Sequence, residues 1–290
     1  MSAVSLSTSE LEQFRTSGFV VRRAMLAPVE IDALAAELEA ALDARYPTFD
    51  GTERQWALVS THATPRFLAL LEDPRFATIA AQVLDGREIG VACDASRFVG
   101  DTLWHGDVVS SVQRGVKMIF YFEPLDATNG ALRVVPSSHE QPLYDRVRAA
   151  LRSDTEDPSH PSIALEVEPG DVIVYDIRLQ HASFGGRPGR RGASVFYYGE
   201  PTTLAERVAL EQQDLLSRGH VRDFHRRGGA SHELPAMSPL VDAARANDAH
   251  ASERMQRWNR ALRDLGFFAP AAVALDPRDR VPHRARSPNK

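Results

Sequence analysis

The chain has a single cysteine, Cys93, and therefore cannot form an internal disulfide. It also lacks any run approaching the roughly 18 consecutive apolar residues that a membrane-spanning helix needs. The first residues, MSAVSLSTSE, contain neither the positive segment nor the apolar segment of a secretory signal. These absences predict a soluble, cytoplasmic protein that does not act on a membrane.

An excess of positive charge is absent as well. The 34 basic residues are outnumbered by 39 acidic ones, and the formal net charge is −5. No run combines aromatic and basic residues in the way that proteins gripping nucleic acid strands do, and neither a GxGxxG fingerprint nor a P-loop occurs. We therefore expect no nucleic-acid partner. The expected partner is a small-molecule substrate, and the expected assembly is a monomer or a homodimer.

The length of 290 residues predicts one globular domain, residues 1–290. Residues 1–85 favour helices. The clearest helical pattern is residues 28–42, where Ile31, Leu34, Leu38 and Leu42 keep helical spacing. A second pattern predicts one helix over residues 65–83.

The middle of the chain, about residues 86–200, is rich in Val, Ile, Phe and Tyr. These residues form short runs between turn signals such as Glu168-Pro169-Gly170-Asp171. Many short strands without β-α-β alternation predict a mainly β fold with flanking helices, built on a jelly roll (a cupin-like double-stranded β-helix). Residues 201–290 return to helical patterns and predict a helical lid followed by a tail.

Three polar residues in the predicted strands suggest a metal site. In an extended segment, His105 and Asp107 of Trp104-His105-Gly106-Asp107 point to the same face. His181 follows the apolar run VIVYDIRLQ, at a strand end. Two histidines and one carboxylate are the ligand set of non-haem Fe(II) oxygenases. Each residue also has an ordinary explanation, because HxD triplets arise by chance and histidines often end strands.

Arg190 and Arg191 follow His181 and begin the next predicted strand. An arginine there could hold a distal carboxylate with two hydrogen bonds. The alternative is a solvated basic hairpin, since RPGRR is also a plausible turn. Strand alternation lets only one of the two arginines face inward.

The chain resembles the phytanoyl-CoA dioxygenase (PhyH-like) family of Fe(II)/2-oxoglutarate-dependent oxygenases. The resemblance lies in residues 94–107 (DASRFVGDTLWHGD), 129–139 (NGALRVVPSSH) and 169–198 (PGDVIVYDIRLQHASFGGRPGRRGASVFYY). These segments hold a WHxD, an NGxLxxxPxSH, a PGD turn, and a histidine followed by a serine and paired arginines. The family has PGSH where this chain has Pro136-Ser137-Ser138-His139, a loss of glycine that could alter the turn.

The resemblance implies Fe(II), 2-oxoglutarate as co-substrate, and O2. It implies that His105, Asp107 and His181 are the iron ligands and catalytic centre. Ser183 matches a position that contacts 2-oxoglutarate, and Arg190 matches the arginine that binds its C5 carboxylate. The spacing differs slightly, so Arg191 remains an alternative. Related halogenases have Ala or Gly in place of the aspartate, so an intact Asp107 favours oxidation without halide.

The predicted reaction is hydroxylation of a small polar metabolite or natural-product intermediate, with release of succinate and CO2. The same site could instead perform desaturation, epimerisation or cyclisation. A non-catalytic cupin-like binding protein is another alternative, as is a zinc hydrolase, although no HExxH-like base is present. Lys117 or Arg97 could pair with an anionic substrate inside the barrel, or could be solvated charges on the sheet.

Overall fold

The fold is given by a computed structural model, which describes residues 4–151, 161–213 and 252–265 except residues 47, 62 and 109. Ten strands occur in the described residues. They are β1 (Phe19–Arg22), β2 (Gln55–Leu58), β3 (Glu88–Phe98), β4 (Thr102–His105), β5 (Gly115–Tyr121), β6 (Leu132–Val134), β7 (Ile163–Leu165), β8 (Val172–Asp176), β9 (His181–Ser183) and β10 (Arg190–Gly199).

These strands form two antiparallel sheets. The large sheet has the order β1-β8-β5-β10-β3-β2, and the small sheet has the order β4-β9-β6-β7. Apart from the pairs β2–β3 and β6–β7, neighbouring strands are not consecutive in the chain, as the crossing connections of a jelly roll require. The predicted fold class is confirmed.

Helices flank the sheets. They are α1 (Thr8–Ser17), α2 (Pro28–Arg45), α3 (Pro65–Leu70), α4 (Pro74–Val83), α5 (Leu143–Leu151) and α6 (Glu253–Asp264). A further helical segment is described from residue 204 to residue 213. None of the described helices is long and apolar enough to cross a membrane.

The single helix predicted over residues 65–83 is wrong, because the structure has two helices there. Asp73 accepts a hydrogen bond from the backbone N–H of Arg75, and Pro74 occupies the first position of α4. Proline lacks the N–H that would continue α3, so the chain restarts at a new N-cap. The apolar spacing persists across the break because both helices pack on the same core.

The large sheet also takes strands from the region in which helices were expected. At one edge of the sheet, β1 pairs with β8. At the other edge β2, which was not predicted, pairs with β3. The β-rich core therefore begins well before residue 86.

Helices cover the outer face of the large sheet and form the main hydrophobic core there. Trp258 of α6 is fully buried in this core. It lies against β3 so closely that a Cβ at Gly90 would lie 2.5 Å from its indole ring. Thus α6 packs on the outer face. Residues 201–213 of the predicted lid are also described, and the rest of the lid and tail, residues 214–251 and 266–290, lies outside the described part of the chain.

A second core fills the space between the two sheets. On the large sheet it draws on β1, β8 and β5, through residues such as Phe19, Ile173 and Ile119. On the small sheet it includes Leu132 and Leu165. Among the described residues, this core draws on the β1, β8 and β5 side of the large sheet, and of β10, β3 and β2 only Phe98 of β3 packs against it.

Candidate active site

The small sheet brings the three predicted metal ligands together. His105 on β4 and His181 on β9 are directly paired across the strands, and their rings lie 4.2 Å apart. Asp107 follows β4, where its backbone N–H donates to the carbonyl of Ile177 at 3.0 Å. One ligand atom from each of the three residues lies within 4.8 Å of the others.

Backbone carbonyls orient both imidazoles. The Nδ1 of His105 donates to the Leu103 carbonyl at 2.7 Å, and the Nδ1 of His181 donates to the Leu179 carbonyl at 2.8 Å. A proton on Nδ1 leaves the lone pair on Nε2, the atom that a metal-binding histidine offers. In both histidines, the carbonyl two residues earlier in the chain thus fixes the orientation of the imidazole ring.

The carboxylate of Asp107 is held from two sides. Its Oδ2 accepts a hydrogen bond from the Tyr175 hydroxyl at 2.9 Å. Its Oδ1 lies 3.5 Å from Lys117 Nζ and 3.9 Å from His181 Nε2. The backbone carbonyl of Asp107 also accepts from the side chain of Gln213 at 3.0 Å. With Oδ2 fixed by Tyr175, Oδ1 is the oxygen that faces His181.

The electrostatics of the site favour the protonation states of metal ligands. Burial alone would raise the pKa of Asp107, but Lys117, the two histidines and the Tyr175 hydroxyl together hold it well below its usual range. Burial lowers the pKa of His181 despite the nearby carboxylate. An ionised carboxylate and a neutral imidazole are what a divalent metal requires, so the donor set fits one.

A buried polar pocket surrounds Arg190, beyond β9. Arg190 itself is only 6% exposed. Its Nη1 donates to Ser183 Oγ at 2.7 Å and to the Gly130 carbonyl, and Ser183 Oγ donates to the same carbonyl at 2.9 Å. The Nε of Arg190 is buried with no hydrogen-bond partner in the described structure. A buried cationic N–H without an acceptor is costly, and an anion placed there would remove that cost.

Only glycine fits opposite this arginine. The backbone at Gly130 has a φ of 105°, and a Cβ there would lie 1.7 Å from Arg190 Nη1. Sequence patterns did not single out this glycine as part of the site, although the Asn129-Gly130 pair marks a turn. The pocket therefore depends on a backbone position as well as on side chains.

Arg191 points the other way. Its guanidinium pairs with Glu123 and, at 3.1 Å, with Glu39. Arg97 likewise lies away from the site, where it pairs with Glu39 and Gln55. Lys117 and Arg97 were the two residues expected to face an anionic substrate inside the barrel, and only Lys117 faces the metal ligands.

Tyr175 and Gln213 are contacts that the sequence analysis missed. Tyr175 lies in the run VIVYD, in which every residue is buried. A buried run hides the alternation that would show which residues face the site.

The Pro136-Ser137-Ser138-His139 turn replaces the family's glycine with Ser137. Ser137 adopts a φ of 64°, so the turn keeps the left-handed conformation that glycine favours.

Residues 14–192, more than half of the chain, match the family profile described as Phytanoyl-CoA dioxygenase (PhyH). This chain belongs to the PhyH family. The predicted membership in this family of Fe(II)/2-oxoglutarate-dependent oxygenases is thereby confirmed. No curated protein sequence shows a significant match to the chain.

Solved structures share the PhyH fold seen here. HygX from Streptomyces hygroscopicus, with nickel and 2-oxoglutarate bound, has a TM-score of 0.55 and 22% identity, covering 68% of this chain and 88% of its own. The carbocyclase SnoK from nogalamycin biosynthesis has a TM-score of 0.55 and 20% identity, covering 69% and 87%. The epimerase SnoN from the same biosynthesis has a TM-score of 0.54 and 16% identity, covering 68% and 86%. At such identities these similarities concern the fold.

Proposed function

We propose that this PhyH-family protein is an Fe(II)- and 2-oxoglutarate-dependent hydroxylase of a small molecule. The observation that carries the proposal is the convergence of His105, Asp107 and His181, with ligand atoms within 4.8 Å of one another. This ligand set leaves coordination positions open. Bound iron, with 2-oxoglutarate and O2, would supply the oxidising power while 2-oxoglutarate is converted to succinate and CO2.

The chain's own residues would orient the reactants. The carbonyls of Leu103 and Leu179 fix the two imidazoles, and Tyr175 fixes the carboxylate of Asp107. Arg190 and Ser183 would bind the C5 carboxylate of 2-oxoglutarate, and the unpartnered Nε of Arg190 supports that role. Arg191 is not suited to it, because Glu123 and Glu39 already neutralise it on the other side of the sheet.

The same site could perform another oxidation. The epimerase and the carbocyclase among the structural neighbours share this fold, so epimerisation or cyclisation is the second candidate. Epimerisation and cyclisation release succinate, just as hydroxylation does. The structure of the product therefore distinguishes them from hydroxylation, since only hydroxylation adds an oxygen atom to the substrate. The cytoplasmic location stays a prediction.

The proposed function is tested in two stages. Calorimetry should show Fe(II) binding and, in the presence of metal, 2-oxoglutarate binding. Succinate release across a metabolite library then reports turnover. Asp107→Ala should weaken metal binding by at least about 100-fold, as expected when one of three ligands is lost. Arg190→Gln should weaken 2-oxoglutarate binding by about 100-fold, roughly the loss of a buried charged pair.

The matched control is Arg191→Gln, which removes the same charge one residue away and should leave 2-oxoglutarate affinity within about threefold of the wild type. Equal losses in Arg190→Gln and Arg191→Gln would contradict the assigned pocket. Wild-type protein that binds neither metal nor 2-oxoglutarate would favour the non-catalytic binding protein instead.

A further inference from the structure

Asp107 is the one proposed metal ligand that lies outside the strands. β4 ends at His105, and β9 begins at His181, so the hydrogen bonds of the small sheet fix the backbone of both histidines. Asp107 comes two residues after His105, and Gly106 lies between them. A glycine leaves the backbone free to adopt many conformations. The position of the Asp107 carboxylate must therefore be set by contacts outside the strand pairing.

The backbone of Asp107 is held on both sides of its Cα atom. Its N–H donates to the Ile177 carbonyl at 3.0 Å, and its own carbonyl accepts a hydrogen bond from Gln213 Nε2, also at 3.0 Å. These two bonds fix the peptide planes that flank the Cα atom, and hence the direction in which the side chain leaves the backbone. The Tyr175 hydroxyl then fixes the carboxylate itself. Gln213 is thus one of two backbone contacts that orient this ligand.

Gln213 lies on the inward face of the helical segment 204–213. The buried residues of this segment are Ala209, Leu210 and Gln213, whose spacing keeps them on one side of a helix. Leu210 belongs to the main hydrophobic core, and so does Val108, the residue after the aspartate ligand. The apolar part of the inward face therefore anchors the segment on the same core that holds the start of the loop after the ligand.

A glutamine at this inward position is costly for the fold. Its side chain is only 9% exposed, and the Oε1 atom of Gln213 has no hydrogen-bond partner among the described residues. Burying an amide oxygen without a partner costs free energy, whereas an apolar side chain there would gain from burial. The hydrogen bond from Nε2 to the Asp107 carbonyl is the contact that an apolar side chain could not make. The glutamine therefore serves the loop that carries the ligand more than the packing of the helix.

The helical segment is also fixed at its beginning. Thr203 and Glu206 cap it reciprocally: the N–H of Glu206 donates to Thr203 Oγ1 at 3.2 Å, and the N–H of Thr203 donates to Glu206 Oε2 at 2.9 Å. In the next turn, Arg207 donates to the Asp264 carbonyl of α6 at 2.8 Å. A side chain carried on an anchored helix holds its target more precisely than one on a loop. Gln213 is presented in this way.

We propose that Gln213 is a positioning residue of the metal centre, through which the helical segment 204–213 holds the backbone of Asp107. This inference rests on the proposed function, because it concerns a ligand of the same metal. The segment lies beyond residue 192, where the match to the PhyH profile ends, whereas the three ligands all lie within the match. Loss of the contact should loosen Asp107 as a ligand and leave the two histidines in place.

The test compares Gln213→Met with Gln212→Met in the full-length protein. Gln212 is the preceding residue and is exposed, so the control makes the same substitution in the same helical turn, away from the site. Calorimetry should show that Gln213→Met weakens Ni(II) binding by about tenfold, as loss of a group that orients a metal ligand does. Gln212→Met should bind Ni(II) as tightly as the wild type.

A spectroscopic measurement separates positioning from stability. Co(II) is used in place of Ni(II), because its visible absorption depends on the number and geometry of its ligands. Gln213→Met and Gln213→Glu both lack the N–H donor, so both should change this absorption at saturating Co(II), whereas Gln212→Met should keep the wild-type spectrum. Tyr197→Phe is the control for stability alone, since it also removes a buried hydrogen bond to a backbone carbonyl, that of Leu71. It should leave the Ni(II) affinity and the Co(II) spectrum unchanged.

Unchanged Ni(II) affinity and an unchanged Co(II) spectrum in the Gln213 variants would overturn the inference. An equal loss of Ni(II) affinity in Gln212→Met or Tyr197→Phe would overturn it as well. Urea unfolding shows that each variant is folded before metal is added, and if Gln213→Met does not fold, Gln213→Glu carries the comparison. Failure of the proposed function is a separate outcome, seen as a wild-type protein that binds neither Ni(II) nor 2-oxoglutarate.

Discussion

The two faces of the large sheet differ sharply, although their residues alternate along the same strands. On β10, Arg190 lies in the buried pocket beside Ser183, whereas Arg191 pairs with glutamates on the opposite side. On β3, Cys93 is buried among the helices, whereas Asp94 lies on the inner face and accepts a hydrogen bond from Trp56 Nε1. The outer face is mostly apolar and covered by helices, with Arg97 and Arg191 paired to Glu39 on the same side. The inner face carries Arg190, Asp94 and Lys117.

This difference shows where the stability of the fold comes from. Buried charges such as Asp107 and Arg190 lose hydration when the chain folds, and their mutual contacts offset that loss only in part. The free energy of unfolding must therefore come mainly from the outer core, where apolar area is removed from water. Variants of the outer face should lower the free energy of unfolding and leave ligand binding at the site intact. Variants of the inner face should weaken ligand binding and change the free energy of unfolding little.

The largest expected effect is at Trp258, on the outer face. Trp258→Ala should lower the free energy of unfolding by about 3–5 kcal/mol, since it leaves a cavity between α6 and β3. The affinity for Ni(II) should not change. Urea unfolding and calorimetry measure the two quantities. Trp258→Phe is the control and should be much milder, because the indole N–H it removes has no described partner. A parallel loss of metal affinity in Trp258→Ala would contradict the separation of the two faces.

Asp171 tests a charged group that stabilises the fold away from the site. Burial would raise its pKa, but the backbone N–H groups of Glu168 and Ala24 and the guanidinium of Arg23 hold it below its ordinary value. Because the folded pKa is depressed, the stabilisation is fully present above pH 3.8 and is lost as the pH falls below it. Asp171→Asn should cost about 2 kcal/mol at pH 7.

The measurement is urea unfolding of wild type and Asp171→Asn between pH 3 and pH 8. The difference in unfolding free energy should be constant near neutrality and should shrink at the acid end. Arg23→Gln is the control: Arg23 is largely exposed, so its loss should cost less than about 1 kcal/mol. A difference that grows on acidification would show that the carboxylate does not act as described.

Two buried tyrosines on opposite faces allow a closer comparison. Tyr175 donates to Asp107 at 2.9 Å on the inner face, and Tyr197 donates to the Leu71 carbonyl at 2.7 Å on the outer face. Tyr175→Phe should weaken Ni(II) binding by about tenfold, as loss of a group that orients a metal ligand does. Tyr197→Phe should leave metal binding unchanged and destabilise the fold by about 1–2 kcal/mol, since the carbonyl of Leu71 stays buried.

Each tyrosine variant serves as the control for the other. Calorimetry with Ni(II) and urea unfolding are applied to both. If Tyr175→Phe changed only stability, or if Tyr197→Phe reduced metal affinity, the assignment of the two faces to different roles would be wrong.

The sequence predicts the parts of the site that depend on local geometry. Alternation along an extended segment predicts that His105 and Asp107 lie on one face, and both residues do offer a ligand atom to the same cluster, although β4 ends at His105. Alternation also shows that Arg190 and Arg191 differ, but it cannot show which one faces inward, because that depends on where the second sheet lies. Tyr175 was missed for a related reason: its strand is buried on both faces, so its pattern does not mark a side.

The break at Pro74 shows a different limit. Apolar spacing continues across α3 and α4 because the core receives both helices on one side, so periodicity alone joins them into one. The proline and the aspartate before it mark the break in the sequence. The confinement of the second core mainly to one side of the large sheet has no comparable local signal, because it arises from which strands pair across the whole domain.

The smallest expected effect concerns Ser137, in the turn where the family has glycine. Ser137 adopts a φ of 64°, and its hydroxyl donates to the carbonyl of Thr16 at 2.8 Å. Ser137→Ala removes this hydrogen bond and keeps the left-handed backbone, so it should lower the free energy of unfolding by about 1 kcal/mol. Ser137→Gly removes the same bond but relieves the backbone, so it should stay within about 0.5 kcal/mol of the wild type. Urea unfolding of the two variants isolates the backbone contribution, since neither changes the metal ligands. If the alanine variant were as stable as the glycine variant, the left-handed turn would not be the constraint that glycine serves in the family.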